Sequence, residues 1–157
     1  MSAHEEWMKR AVVLALKNVQ TSGGGPFGAV VVKDGQLIAT GVNVVTATND
    51  PSAHAEVVAI RAACKALGTY ELRGCELYSS CEPCPMCLGA IYWARITAFY
   101  FSCNRHNAAK AGFDDAFIYD EVPRLPQDRT IPAFELAPEI GHLPFDEWLR
   151  SINKTHY

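Results

Sequence analysis

Residues 75–102 read CELYSSCEPCPMCLGAIYWARITAFYFS, and their order decides the class of fold. Cys75 to Ser80 is a short apolar run of the strand type. Cys81, Cys84 and Cys87 follow at even gaps of three, with Pro83 and Pro85 on either side of the middle thiol. Pro85 to Arg95 reads as a short helix with proline at its first position. Ile96 to Ser102 returns to a strand. A strand, a thiol-bearing turn, a helix and a strand in succession imply an α/β layered sheet.

Upstream, the same alternation continues. Residues 4 to 20 carry Trp7, Met8, Ala11, Val12, Leu14, Ala15 and Val19, broadly a helical stripe that Gly23-Gly24-Gly25-Pro26 ends. Phe27 to Val32 is a valine-rich strand, Lys33-Asp34-Gly35 a hairpin turn, and Gln36 to Asn43 the returning strand. A loop covers Val44 to Ser52. Asn49-Asp50-Pro51 looks like a helix start, and good helix formers run from His54 to Leu67, with Gly68 as the stop. Downstream, Ala108 to Ala111 is expected to form one turn and Pro144 to Asn153 a terminal helix. Residues 117–120 and 131–136 carry no decisive pattern.

Composition sets the outer limits. The 157 residues fit a single domain, residues 1–157. Fourteen basic against 17 acidic residues leave a net charge of −3. That balance points to a small-molecule ligand and makes nucleic acid an unlikely partner, since phosphate-binding surfaces are usually basic. No apolar run approaches a membrane span, and MSAHEEWMKR lacks the order of a signal peptide. The expected location is cytoplasmic. Six cysteines in such a compartment argue for metal binding or catalysis before disulfides.

The thiols have partners elsewhere. In PSAHAEVVAI, His54 and Glu56 stand at a helix start. Cys84 and Cys87, at i and i+3, share a helical face. Two helix N-termini can therefore aim His54, Cys84 and Cys87 at one ion, and their positive ends favour thiolates. One imidazole and two thiolates suit zinc, and three protein ligands leave the fourth position for water. Glu56 beside the metal is then the natural proton acceptor. Other readings remain open. A structural site would use Cys81, Cys84 and Cys87 together. Cys81 could replace Cys87 as ligand, leaving Cys87 in the core. An iron–sulfur cluster is disfavoured because Ile91 stands where a fourth cysteine would. Glu56 could also be a simple helix-terminal charge. Cys64, Cys75 and Cys103 are read as core residues, and Trp93 as core or interface.

The pairing of H-A-E with P-C-x-x-C resembles the zinc-dependent deaminases. PFGAVVVKDG, NDPSAHAEVVAIRAAC, YSSCEPCPMCLGAIYWARI and AGFDDAFIY together resemble the bacterial guanine deaminases of the cytidine-deaminase-like fold, over nearly the whole chain. The resemblance implies three α/β/α layers around a central mixed sheet of about five strands. It implies one Zn2+ per subunit on His54, Cys84 and Cys87, with Glu56 as proton shuttle. It assigns base contacts to Phe27, Asn43, Ala55 and Asp115, with Asp114 the nearby competitor, and places Tyr157 near the pocket. Asp115 is also a second candidate catalytic acid. The implied partners are a purine substrate and a second subunit, with residues of about 140–157 crossing between subunits of a homodimer. The implied reaction is hydrolysis of guanine to xanthine and ammonia. Deamination of guanosine or adenine, deamination of tRNA adenosine, and a silent zinc-binding module are the competing readings.

Overall fold

A computed structural model describes residues 2–157. The chain divides into two compact units, one reaching Ala116 and one from Phe117 to Tyr157.

The first unit opens with α1 (Ala3–Gln20). Ser2 and Glu5 exchange hydrogen bonds across its first turn, so a capping box fixes the start. Strands β1 (Gly28–Lys33) and β2 (Gln36–Val42) form the expected hairpin. Asp34 and Gly35 both have positive φ, 49° and 72°, which is what a two-residue turn matching strand twist requires. A single helical turn, α2 (Val45–Thr48), interrupts the expected loop. Helix α3 (Ala55–Leu67) then begins at Ala55, not at residues 49–51. Asn49 instead closes α2 in the left-handed conformation, and Asp50 accepts two hydrogen bonds from Ser52 in a local turn. Strand β3 (Cys75–Cys81), helix α4 (Pro85–Trp93), strand β4 (Ala98–Cys103) and helix α5 (Arg105–Lys110) complete the unit.

The sheet order is β2-β1-β3-β4, antiparallel except for the parallel β3–β4 pair. Central β1 explains the continuous valine run, because both of its faces are covered. Val30 and Val32 pack with Ala11 of α1 and with Tyr78. Ala29 and Val31 pack with Ala55, Ala59 and Ala63 of α3 and Ile91 of α4. The three α/β/α layers follow. Gly41 lets α3 lie directly on β2: a Cβ there would collide with the Ala55 carbonyl oxygen and the Ala59 nitrogen. This contact holds the N-terminus of α3 in place.

Four strands are present among the described residues, where about five were expected. Residues 131–136 form no strand. Pro132 cannot donate to a ladder, and Ile131 and Leu136 are 84% and 85% exposed. Cys64 and Cys75 pack as expected. Cys103 does not, since it sits exposed at the end of edge strand β4. Trp93, at the C-terminus of α4, is exposed and so is not core.

The second unit is largely helical. It contains most of α6 (Ala116–Glu121), a 3-10 turn at Pro126–Asp128, α7 (Pro138–Gly141) and α8 (Leu143–Arg150). Glu121 accepts hydrogen bonds from the Thr130 amide and hydroxyl and pairs with Arg124. Phe134, Phe145, Leu149 and Ile152 are exposed. Among the described residues no helix is long and apolar enough to cross a membrane.

Candidate metal centre and active site

Two helix starts build the centre. His54 is the N-cap of α3 and Cys84 the N-cap of α4, both with extended backbone. An N-cap side chain normally accepts a bond from its own first turn. Neither of these does, so both are turned to other work. Cys87 stands one turn into α4 and is fully buried. The His54 Nδ1 atom lies 3.6 Å from Cys84 Sγ and 3.5 Å from Cys87 Sγ. A tetrahedral zinc ion, with Zn–S of about 2.3 Å and Zn–N of about 2.0–2.1 Å, requires an N···S edge of roughly 3.6 Å. All three ligand atoms lie within 4.8 Å of one another, and among the described residues no other such group exists. The donor set and its spacing fit zinc.

Cys81 is excluded from this group by its position in β3. Its thiol donates to the Asn104 carbonyl at 3.7 Å, and burial pushes it up to about 11. Cys84 shows the opposite shift. A hydrogen bond from Cys87, and then the partly buried His54 ring, hold it down to about 4 despite its burial. Cys87 is pushed up because it donates to Cys84. The sulfur–sulfur hydrogen bond thus favours the thiolate at Cys84, and metal ligation would require both sulfurs as thiolates. His54 is raised, chiefly by the Cys84 hydrogen bond.

Glu56, two residues into the same helix, is 5% exposed. Ser79 Oγ donates to its Oε1 at 3.1 Å and Cys87 Sγ to its Oε2 at 3.4 Å. Desolvation raises its carboxyl above the usual range, opposed by these bonds and reinforced by the Cys84 charge. A buried carboxylate beside the metal ligands, with an elevated proton affinity, is suited to taking and returning protons. Ser79 was not singled out in the sequence. Its role depends on β3 passing beneath α3, and no local pattern signals that.

The remaining predicted positions are distributed as follows. Phe27 meets Phe113 edge-on, with ring centroids 5.0 Å apart. Asn43 is buried, donates its backbone N–H to the Phe27 carbonyl at 3.2 Å, and accepts the Val45 backbone N–H on Oδ1. Asn18, another residue the sequence reading passed over, donates to the carbonyls of Gly25 and Asn43 at 2.9 and 2.8 Å. It thereby ties Gly25, two residues before Phe27, and Asn43, just after β2, to α1. A polar residue three positions after Ala15 on the buried face of α1 was a readable signal. Ala55 is fully buried at the first turn of α3. Asp114 is exposed, and its Oδ1 accepts the Ala116 amide at 2.9 Å. Asp115 is partly buried and raised mainly by desolvation, with Cys84 also contributing. Its own charge is felt at His54. Tyr157 ends the second unit and is exposed.

Residues 1–103 match the cytidine and deoxycytidylate deaminase zinc-binding region. The chain belongs to this deaminase family. As a zinc-binding deaminase it is 55% identical to the guanine deaminase of Bacillus subtilis over 154 residues, covering 98% of this chain and 99% of that one. The X-ray structure of the Bacillus subtilis guanine deaminase aligns with a TM-score of 0.97, over 100% of this chain and 99% of that chain. The tRNA-specific adenosine deaminase of Aquifex aeolicus is 41% identical over 98 residues, covering 62% of this deaminase and 65% of that one.

Proposed function

We propose that this zinc deaminase hydrolyses guanine to xanthine and ammonia, an activity of purine catabolism and salvage. One observation carries the choice of guanine. The likeness to a guanine deaminase spans 98% of the chain, whereas the likeness to a tRNA adenosine deaminase covers 62%. The chemistry of the site supports the reaction type.

His54, Cys84 and Cys87 would hold a zinc ion, which would supply Lewis acidity and lower the pKa of a coordinated water towards roughly 7. Glu56 takes a proton from the attacking water as its oxygen adds to C2 of the purine. Glu56 then delivers that proton to ring N3, which absorbs the developing charge. The proton left on the added oxygen then passes, through Glu56 or Asp115, to the amino group, which departs as ammonia as the C2–N bond breaks and the C2 carbonyl forms. Ser79 holds one oxygen of Glu56, and the other, which faces the Cys87 sulfur among the candidate ligands, is the one assigned to move protons.

Base recognition is assigned to Phe27 by stacking, to Asn43 through its Nδ2, to the first-turn backbone at Ala55, and to Asp115 as acceptor for guanine N–H groups. Asp115 is favoured over Asp114 because the Asp114 carboxylate is engaged in capping α6. Tyr157 closes the pocket, contributed within a homodimer whose segments of about 140–157 are exchanged. The uncovered Phe145, Leu149 and Ile152 support a partner for that segment. Six free thiols suit a reducing, cytoplasmic setting.

Ammonia release from guanine, guanosine, adenine, cytosine and cytidine, assayed with the zinc-loaded protein, tests the proposal. Guanine is expected to react fastest, and faster release from cytidine would overturn the assignment.

A further inference from the structure

Cys81 opened the cysteine run, yet neither the metal group nor the proton shuttle uses it. Its partner in the parallel β3–β4 register is Cys103. The Glu82 amide donates to the Cys103 carbonyl at 2.7 Å, which locks this register just past Cys81. The Cys81 thiol itself points to the neighbourhood of Cys103, donating to the carbonyl of the next residue, Asn104, at 3.7 Å. Adjacent strands run about 4.8 Å apart, inside the range of about 4.4–6.8 Å that disulfide-linked Cα atoms span. Cys103 is the one exposed cysteine among the described residues, while Cys81 is buried.

We propose that Cys81 and Cys103 form a redox pair that closes to an intramolecular disulfide in the presence of a small-molecule disulfide, leaving the metal ligands untouched. The exposed Cys103 thiolate attacks one sulfur of the small disulfide and releases one equivalent of the free thiol. The Cys81 thiol then loses its proton to solvent, and the resulting thiolate attacks Cys103 Sγ and releases the second equivalent, which takes up a proton in turn. Two protein thiols become one disulfide, and one small disulfide becomes two thiols. Accessibility sets the order of attack, because Cys87 is buried and Cys84 only partly exposed. Exposed disulfides are the readily reduced ones, and Cys103 is exposed. The position of the pair matters: Cys81 lies three residues before the ligand Cys84, and its thiol feels the charges of Glu56 and Asp115.

The test is a titration of the zinc-loaded protein with glutathione disulfide, followed by alkylation, peptide mapping and zinc analysis. A Cys81–Cys103 linked peptide is expected with the zinc content unchanged, and dithiothreitol should remove the link. Cys81→Ser should instead trap glutathione on Cys103, and Cys103→Ser should leave Cys81 reduced. A glutathione adduct that persists on wild-type Cys103 beside a free Cys81 would overturn the proposal. So would a Cys84–Cys87 link with zinc loss at lower oxidant. The peptide map reads the pair directly, so its outcome is independent of which base the enzyme deaminates.

Discussion

Replacing Glu56 by glutamine separates the chemistry of this site from its architecture. Glutamine has the volume of glutamate, and its carbonyl oxygen can still accept the Ser79 hydroxyl that now lies 3.1 Å from Oε1. Its amide can donate to the Cys87 sulfur, 3.4 Å from Oε2. Zinc should therefore remain bound. What should disappear is the proton transfer proposed for Glu56, out of the water and onto the ring. Each general acid–base step contributes roughly 10²–10⁴-fold. Because kcat/KM reads the highest barrier, the expected fall is about 10²–10⁴-fold, or about 3–5 kcal/mol of lost transition-state stabilisation. Stability should move the other way. Burial raises the Glu56 carboxyl, so the folded metal-free chain binds that proton more tightly than the unfolded chain does. The associated stability is full below the ordinary carboxylate range and is lost as pH rises through the raised value. At neutral pH, Glu56→Gln in the metal-free protein should hold or raise the thermal midpoint. Ammonia release, zinc content and the midpoint of one preparation decide the matter. Activity within threefold of wild type at full zinc content would refute the shuttle.

Cys84→Ala and Cys87→Ala should each lose most bound zinc, and Cys81→Ala should keep it, as metal analysis of purified variants will show. Gly41→Ala should cost about 1–3 kcal/mol by overpacking. The added methyl must push α3 off β2, so lowered zinc affinity should accompany the lowered midpoint in denaturation and metal-binding assays. Truncation after Asn153 should reduce guanine turnover severalfold while shifting the thermal midpoint little. Unchanged turnover would remove Tyr157 from the site, and a collapsed midpoint would mark the tail as structural.

The parts of this protein that were legible in the sequence are those fixed by neighbours along the chain. The valine run with Asp34-Gly35 announced the hairpin, because turn chemistry and two-sided burial both leave local traces. His54 with Glu56 and Cys84 with Cys87 were readable because each pair falls within one helical turn. The choice of Cys87 over Cys81 followed from helical phase. What stayed hidden depends on elements meeting in space. Ser79 reaches Glu56 only because β3 runs under α3, and Asn18 joins Gly25 to Asn43 only because α1 folds back on β1. The burial of Cys103 was misjudged for a related reason. An aromatic, apolar strand looks internal until its place at the edge of the sheet is known. The start of α3 was misplaced because Asn49 and Asp50 carry capping chemistry that serves α2 and a local turn instead.

The two uncapped helix starts have a consequence for how the molecule breathes. Ala55, Glu56 and Val57 head α3, and Met86 and Cys87 head α4, where Pro85 has already removed one amide hydrogen. In most helices such amides are held by a side-chain oxygen at the cap. Here the cap side chains belong to the group that fits zinc, so a bound ion would hold the geometry of both first turns together. Removing that ion should release the two turns together, while β1 and the middle of α3 keep their packing. Amide deuterium uptake should register this as paired, early exchange at positions 30 residues apart, in a molecule whose sheet still protects its own hydrogens.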